Sequence, residues 1–185
     1  MSGGAAGPVP AERARFGAEP GDERPMRASD DVDGDEAGAE CEKRAVGFLA
    51  RREHSRVELE RKLEARGFDA AVIAATLDRL EQKGLLSGQR FMASFIASRA
   101  ARGSGPEKIR AELVQRGVRP EDAAAALRDA DEDWAALARR ARTKRFGEAL
   151  PGTFEERARQ ARFLRGRGFT GAQIDAALEV RADSD

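Results

Sequence analysis

The chain has no tyrosine, and cysteine, histidine and tryptophan occur once each in its 185 residues. A single cysteine, Cys41, excludes an internal disulfide framework and suits a reducing compartment. One Cys and one His cannot build a zinc site of the Cys/His type. Aromatic residues make up 5% of the chain, which leaves little material for a surface that stacks successive nucleobases. No apolar run approaches the roughly 18–20 residues of a membrane span. Residues 1–25 also lack the apolar core of a secretory signal. The formal net charge is zero, but the two signs are not evenly spread. Residues 1–40 hold four Arg against ten Asp and Glu, and the remainder is correspondingly basic.

Charged residues, by contrast, are abundant at 36%, and hydrophobic ones make up 41%. With Ala, Arg, Leu and Glu so frequent, this composition favours helices that expose much charge. Val9, Phe16, Met26 and Val32 are too scattered to form an apolar face, so residues 1–41 read as a disordered acidic extension. Cys41, at its edge, reads as an incidental thiol. Helical spacing begins at Glu42, where Val46, Phe48 and Leu49 mark a first helix ending near Arg52. Ser55 and Glu58 have capping-box spacing, and Leu59 and Leu63 follow. Gly67 closes that helix and Asp69 caps the next, which carries Ile73, Leu77 and Leu80. Gly84 closes this third helix, and Leu85 is expected to fold back onto its last turn. Ser87 caps a helix with Phe91, Phe95 and Ile96 on one face.

The pattern then recurs. Arg66-Gly67-Phe68, Arg116-Gly117-Val118 and Arg167-Gly168-Phe169 align as junctions between a second and a third helix. Four residues before each glycine stands Leu63, Leu113 or Leu164. Apolar residues follow each glycine at matching offsets: Ile73 and Leu77, Ala123 and Leu127, Ile174 and Leu178. Ser104…Glu107, Thr153…Glu156 and Thr170…Gln173 repeat the capping-box spacing. Phe154, Ala158, Ala161 and Leu164 read as one inner face, and the last helix runs from Thr170 to about Arg181. No alternating run suggests a strand. The expected fold is all-α, with three tandem three-helix repeats over 42–84, 85–130 and 131–185. Each triplet alone buries few large side chains, and stacking covers the faces left open. The expected shape is an elongated curved array.

No catalytic constellation is legible. His54 lies at a helix–helix turn without an acid, a nucleophile or a pocket, and reads as an exposed turn residue. Gly103-Ser104-Gly105-Pro106-Glu107-Lys108 lacks the glycine-lysine-serine/threonine ending and the preceding strand of a phosphate loop. Asp129, Asp131, Glu132 and Asp133 lack the glycine and spacing of a calcium loop, and read as acids at a helix start. The remaining signal is basic. Arg139, Arg140, Arg142, Lys144 and Arg145 crowd one helix, Arg157, Arg159, Arg162, Arg165 and Arg167 follow on the next, and Arg99, Arg102 and Arg110 add to them. Clustered cations of this kind can meet phosphates or a carboxylate-rich protein surface.

The stretch Gly84-Leu85-Leu86, Arg90-Phe91, Phe95-Ile96, Arg99, Arg102-Gly103, Pro106, Ile109, Glu112-Leu113 and Arg116-Gly117-Val118 resembles the middle of the RecX family, bacterial regulators of the RecA recombinase. Ser55…Gly67-Phe68 is similar to that family's first repeat, and Arg165…Ile174 to its third. Ala123 to Ala126 stand where bulkier residues are frequent. The resemblance implies three three-helix repeats and a non-enzymatic regulator without cofactor or metal. Its implied partner is the RecA filament on single-stranded DNA, whose groove it would occupy while modulating ATP hydrolysis and strand exchange. It further implies a cytoplasmic monomer, away from membranes, with Arg99, Arg102, Arg110, Arg139, Arg140, Arg142, Lys144, Arg145, Arg162 and Arg165 facing RecA or DNA. The alternative is a helical repeat protein that binds single- or double-stranded nucleic acid directly through its arginine-rich face.

Overall fold

A computed structural model describes residues 28–179, and all nine of its helices fall in three consecutive triplets. The first unit comprises α1 (Ala28–Leu49), α2 (Arg56–Glu64) and α3 (Ala70–Gln82). The second comprises α4 (Gly88–Ala101), α5 (Pro106–Gln115) and α6 (Pro120–Asp129). The third comprises α7 (Trp134–Phe146), α8 (Phe154–Gly166) and α9 (Gly171–Leu178). There is no strand among the described residues. The predicted all-α repeat architecture is therefore present.

Each unit has its own small core. Leu59, Leu63, Ile73, Leu77 and Leu80 fill the first. Phe91, Ile96, Ile109, Leu113 and Leu127 fill the second, and Leu164, Phe169, Ile174 and Leu178 the third. The recurrent leucine four residues before each junction glycine, Leu63, Leu113 or Leu164, is fully buried each time. Gly67, Gly117 and Gly168 each take positive φ, between 84° and 89°. An L-residue enters that region only at a cost, so glycine marks each junction.

Several expectations need correction. Helix α1 begins at Ala28, well before Glu42; the part of the expected extension over residues 1–27 lies outside the described residues. Cys41 is not incidental but fully buried, with Ala45, Phe48 and Leu49 continuing its stripe into the first core. The side chains of Cys41 and Ala45 are too small to register as an apolar face, which hides the helix in sequence. Burial pushes the Cys41 thiol pKa up. Leu86 rather than Leu85 folds back into the first core, and Leu85 stays exposed. Phe154 is 85% exposed and off the inner face. Helix α9 stops at Leu178, short of Arg181.

The units are joined by one device used twice. The start of α2 abuts the Arg116-Gly117 junction of the second unit, where the Ser55 hydroxyl donates to the Arg116 carbonyl at 2.7 Å. A Cβ on Gly117 would fall 2.4 Å from Val57. The start of α5 abuts the Arg167-Gly168 junction of the third unit in the same manner. The backbone N–H groups of Gly105 and Glu107 donate to the carbonyls of Arg167 and Gly168, at 2.7 and 3.0 Å. The expected Ser104…Glu107 capping box is thus absent. Gly105 is the N-cap without a side-chain cap, and the neighbouring unit's carbonyls accept two N–H groups that the start of the helix leaves free. At the far end α8 closes itself with the Thr153–Glu156 capping box. Among the described residues the hydrogen bonds and ion pairs between units join the first to the second and the second to the third.

Candidate cationic cleft

Arg102, Arg140, Lys144, Arg145 and Arg167 meet around one concavity at the second joint. It has a volume of about 320 Å³ and lies between the end of α4 and the helices α7 and α8. Leu137, Ala141 and Phe163 form its apolar floor. Leu137, Arg140, Ala141 and Lys144 share a face of α7 because their spacing is three or four residues. Arg102 is the C-cap of α4, and Gly103 follows at φ +78°. Arg167, after α8, reaches back across the joint toward the carbonyls of Arg102 and Gly103, at 3.3 and 3.5 Å.

Aromatic rings hold two of these guanidinium groups in place. Phe146 and Phe163 meet edge to face with centroids 5.3 Å apart. Arg145 lies over Phe146, and Arg167 over Phe163 at 5.0 Å. Such stacking fixes a guanidinium group without neutralising it. No carboxylate lies within ion-pair distance of any of the five cations among the described residues. Five like charges around a low-dielectric floor concentrate positive potential, which attracts a polyanion and speeds its arrival.

The ten basic residues expected to face RecA or DNA separate into distinct groups. Arg102, Arg140, Lys144 and Arg145 line the cleft. Arg162 and Arg165 are exposed on α8 but do not line it, and Arg139 is half-buried on α7. Arg99 is paired with Glu112 at 2.7 Å, and Arg110 with Glu107 at 2.9 Å. Arg142 is a correction: it is 5% exposed and belongs to the interior. Its guanidinium donates to the carbonyls of Ala149 and Glu148 at 2.9 and 3.1 Å, which ties the α7–α8 loop to α7. Arg167, named among the clustered cations of the sequence but not among those ten, completes the cleft together with Phe163, which the sequence did not single out.

The first joint is built with both signs of charge. Glu58 is bonded by Arg52 at 2.9 Å, by His54 Nδ1 at 3.0 Å and by Arg116 of the second unit. Burial pushes the Glu58 carboxyl up, but the hydrogen bonds from Arg52 and Arg116 outweigh it and hold the group below the usual carboxylate range. His54 is buried rather than exposed, with its ring edge-on to Phe48 at 6.2 Å. Burial, with the Arg52 charge, lowers its pKa and outweighs the pull of Glu58. Its role is structural, within the joint. No group of three or more His, Cys, Asp or Glu among the described residues is placed to hold a metal ion. No helix among them is long and apolar enough to cross a membrane.

Comparison with known proteins agrees with this construction. Family models for the first, second and third three-helix domains of RecX match residues 41–80, 89–127 and 131–178. A protein of Halorhodospira halophila named "Regulatory protein RecX" is 44% identical, over 81% of this chain and 95% of that protein. One of the same name from Pseudomonas savastanoi pv. phaseolicola is 46% identical, over 76% of this chain and 91% of its own length. The crystal structure of RecX from Lactobacillus salivarius superposes with a TM-score of 0.66, covering 77% of this chain and 94% of that chain at 18% identity. A second, titled "Crystal structure of regulatory protein RecX", gives 0.69 over 83% of this chain and 78% of that one, at 20% identity. At such identities the two crystal structures speak for the fold.

Proposed function

The chain belongs to the RecX family, and from that premise we propose that it is a cytoplasmic, non-enzymatic regulator of RecA filaments on single-stranded DNA. Its relatives carry the name of regulatory proteins. The observation that carries the molecular part of the reading is the cleft of unpaired cations at the second joint. Three units joined in series can lie along a filament groove and touch more than one recombinase subunit. Arg102, Arg140, Lys144 and Arg145 then neutralise phosphates of the bound strand. Holding strand and subunits together resists the rearrangement that ATP turnover and strand exchange require.

The test is RecA ATP hydrolysis and strand exchange on single-stranded DNA, with the protein added up to stoichiometric amounts. Both rates are expected to change, with co-sedimentation of the protein on the filaments. No change in either rate, together with no co-sedimentation, overturns the proposal. The unpaired cations also favour a second reading, direct binding to bare nucleic acid. Affinity for bare strands equal to that for filaments would select it.

A further inference from the structure

A second concavity opens along the N-terminal part of α4, between α4 and α6. Helices α4 and α6 pack less closely than α1 on α3 or α7 on α9. The alanine run of α6 leaves little side-chain bulk to fill the space between them. Ala123 is fully buried, while Ala125 and Ala126 present only methyl groups beside α4. The resulting groove has a volume of about 900 Å³. Met92, Ala93, Ile96 and Ala97 of α4 form its floor with those two alanines.

The rim is acidic. Asp122, Asp129, Asp131 and Glu132 border the groove, and no Lys or Arg does, in a chain with 33 such residues. Asp122 is paired with Arg119 at 2.8 Å. Asp129, Asp131 and Glu132 meet no cation among the described residues. None of these three makes a helix-capping hydrogen bond among the described residues. Asp133 is the acid that caps α7, accepting from the Ala136 N–H at 2.8 Å. Asp129 stands at the C-terminal end of α6, where the helix dipole disfavours an anion.

We propose that this groove receives an amphipathic helix of a partner protein, with its apolar stripe on the alanine floor and Lys or Arg on its flanks. A helix fits where an extended peptide does not. Both walls are helices whose backbone groups are satisfied internally, so an extended segment would bury unpaired N–H and C=O groups. A helix satisfies its own backbone, and small residues on the floor let its axis approach closely. The three unpaired carboxylates set the sign of the flanking charge. The inference does not depend on the cationic cleft or on the proposed function, because the two sites share no residue.

The test is binding of a labelled Leu/Lys peptide to the full chain, read by fluorescence anisotropy. The peptide carries leucine at i, i+3, i+4 and i+7 over about 18 residues. It is compared with a scrambled peptide of the same composition and with a striped Leu/Glu peptide. The striped Leu/Lys peptide is expected to bind at least roughly tenfold more tightly than either control. Asp129→Lys with Asp131→Lys, and separately Ala93→Trp, should each weaken it by a similar factor. Should Ala93→Trp fail to fold, the exposed charge pair decides. Equal binding of the scrambled peptide, or indifference to both variants, overturns the proposal. Removal of residues 1–27 that raises affinity about tenfold would put the chain's own first segment in the groove. Self-association abolished by the charge pair would put a second copy there. Either result also overturns it.

Discussion

The joint between the first two units is where a perturbation can be worked through from geometry. Glu58 accepts charge-assisted hydrogen bonds from Arg52 and Arg116 and is bonded to His54, with its side chain only 11% exposed. Glu58→Gln keeps the volume and removes the charge. Breaking one partner of a fully buried ion pair costs about 3–5 kcal/mol. Arg52 and Arg116 are 51% and 34% exposed, so water can rehydrate both guanidinium groups. Two charge-assisted bonds weakened in this way cost about 2–3 kcal/mol in total. Arg116→Met removes one of those bonds from the other side. A double-mutant cycle of Glu58→Gln and Arg116→Met, read by urea denaturation followed by circular dichroism, should give a coupling of about 1–2 kcal/mol. Additivity within about 0.3 kcal/mol would show that the pair contributes nothing to the joint and would refute this account of it.

Three further outcomes follow from the same contacts. Gly168→Ala places a Cβ 2.4 Å from Lys108 at φ +89°, whereas Gly67→Ala meets nothing within 4 Å at φ +84°. Gly67→Ala should therefore cost only the left-handed strain of about 1–2 kcal/mol, and Gly168→Ala clearly more; equal melting shifts would contradict the docking of α5 on that junction. Arg142→Ala leaves the carbonyls of Ala149 and Glu148 without their donor, at a cost of about 1–3 kcal/mol, while Arg140→Ala should stay within about 0.5 kcal/mol, both measured by thermal melting. His54 has a depressed folded pKa against an unfolded value of about 6.5. The unfolded chain then binds more protons in the interval between the two values, so stability is complete above about pH 6.5 and declines as pH falls below it. Since His54 is the only histidine, His54→Gln should flatten the urea midpoint across that interval, and an unchanged slope would contradict the burial of the ring.

The triplication was legible because each junction needs a glycine at positive φ and a buried leucine one turn before it. Leu63-Gly67, Leu113-Gly117 and Leu164-Gly168 meet that need with the same spacing. What remained hidden depends on contacts between units. Gly105 has no cap of its own because carbonyls far along the chain supply it. His54 looks like a turn residue until Glu58, itself held by Arg116 of the second unit, bonds its ring. The basic surface was legible as a density of charge but not as a site. Arg140 and Arg142 are two residues apart on α7, so one faces the cleft and the other the interior. Arg99 and Arg110 look as cationic as their neighbours, yet Glu112 and Glu107 neutralise them.

The measurement that bears most directly on the cationic cleft is the salt dependence of binding to RecA–single-stranded DNA filaments. The variant Arg102→Gln, Arg140→Gln, Lys144→Gln, Arg145→Gln is set against Arg99→Gln, Arg110→Gln. Each phosphate contact on a single strand contributes about 0.7 to the slope of log affinity against log salt, so the fourfold variant should lose about 3 from that slope and bind far more weakly. The paired-arginine variant should keep nearly the slope of the unaltered protein. Equal slopes for all three proteins would contradict the assignment of the cleft as the surface that meets the filament's nucleic acid.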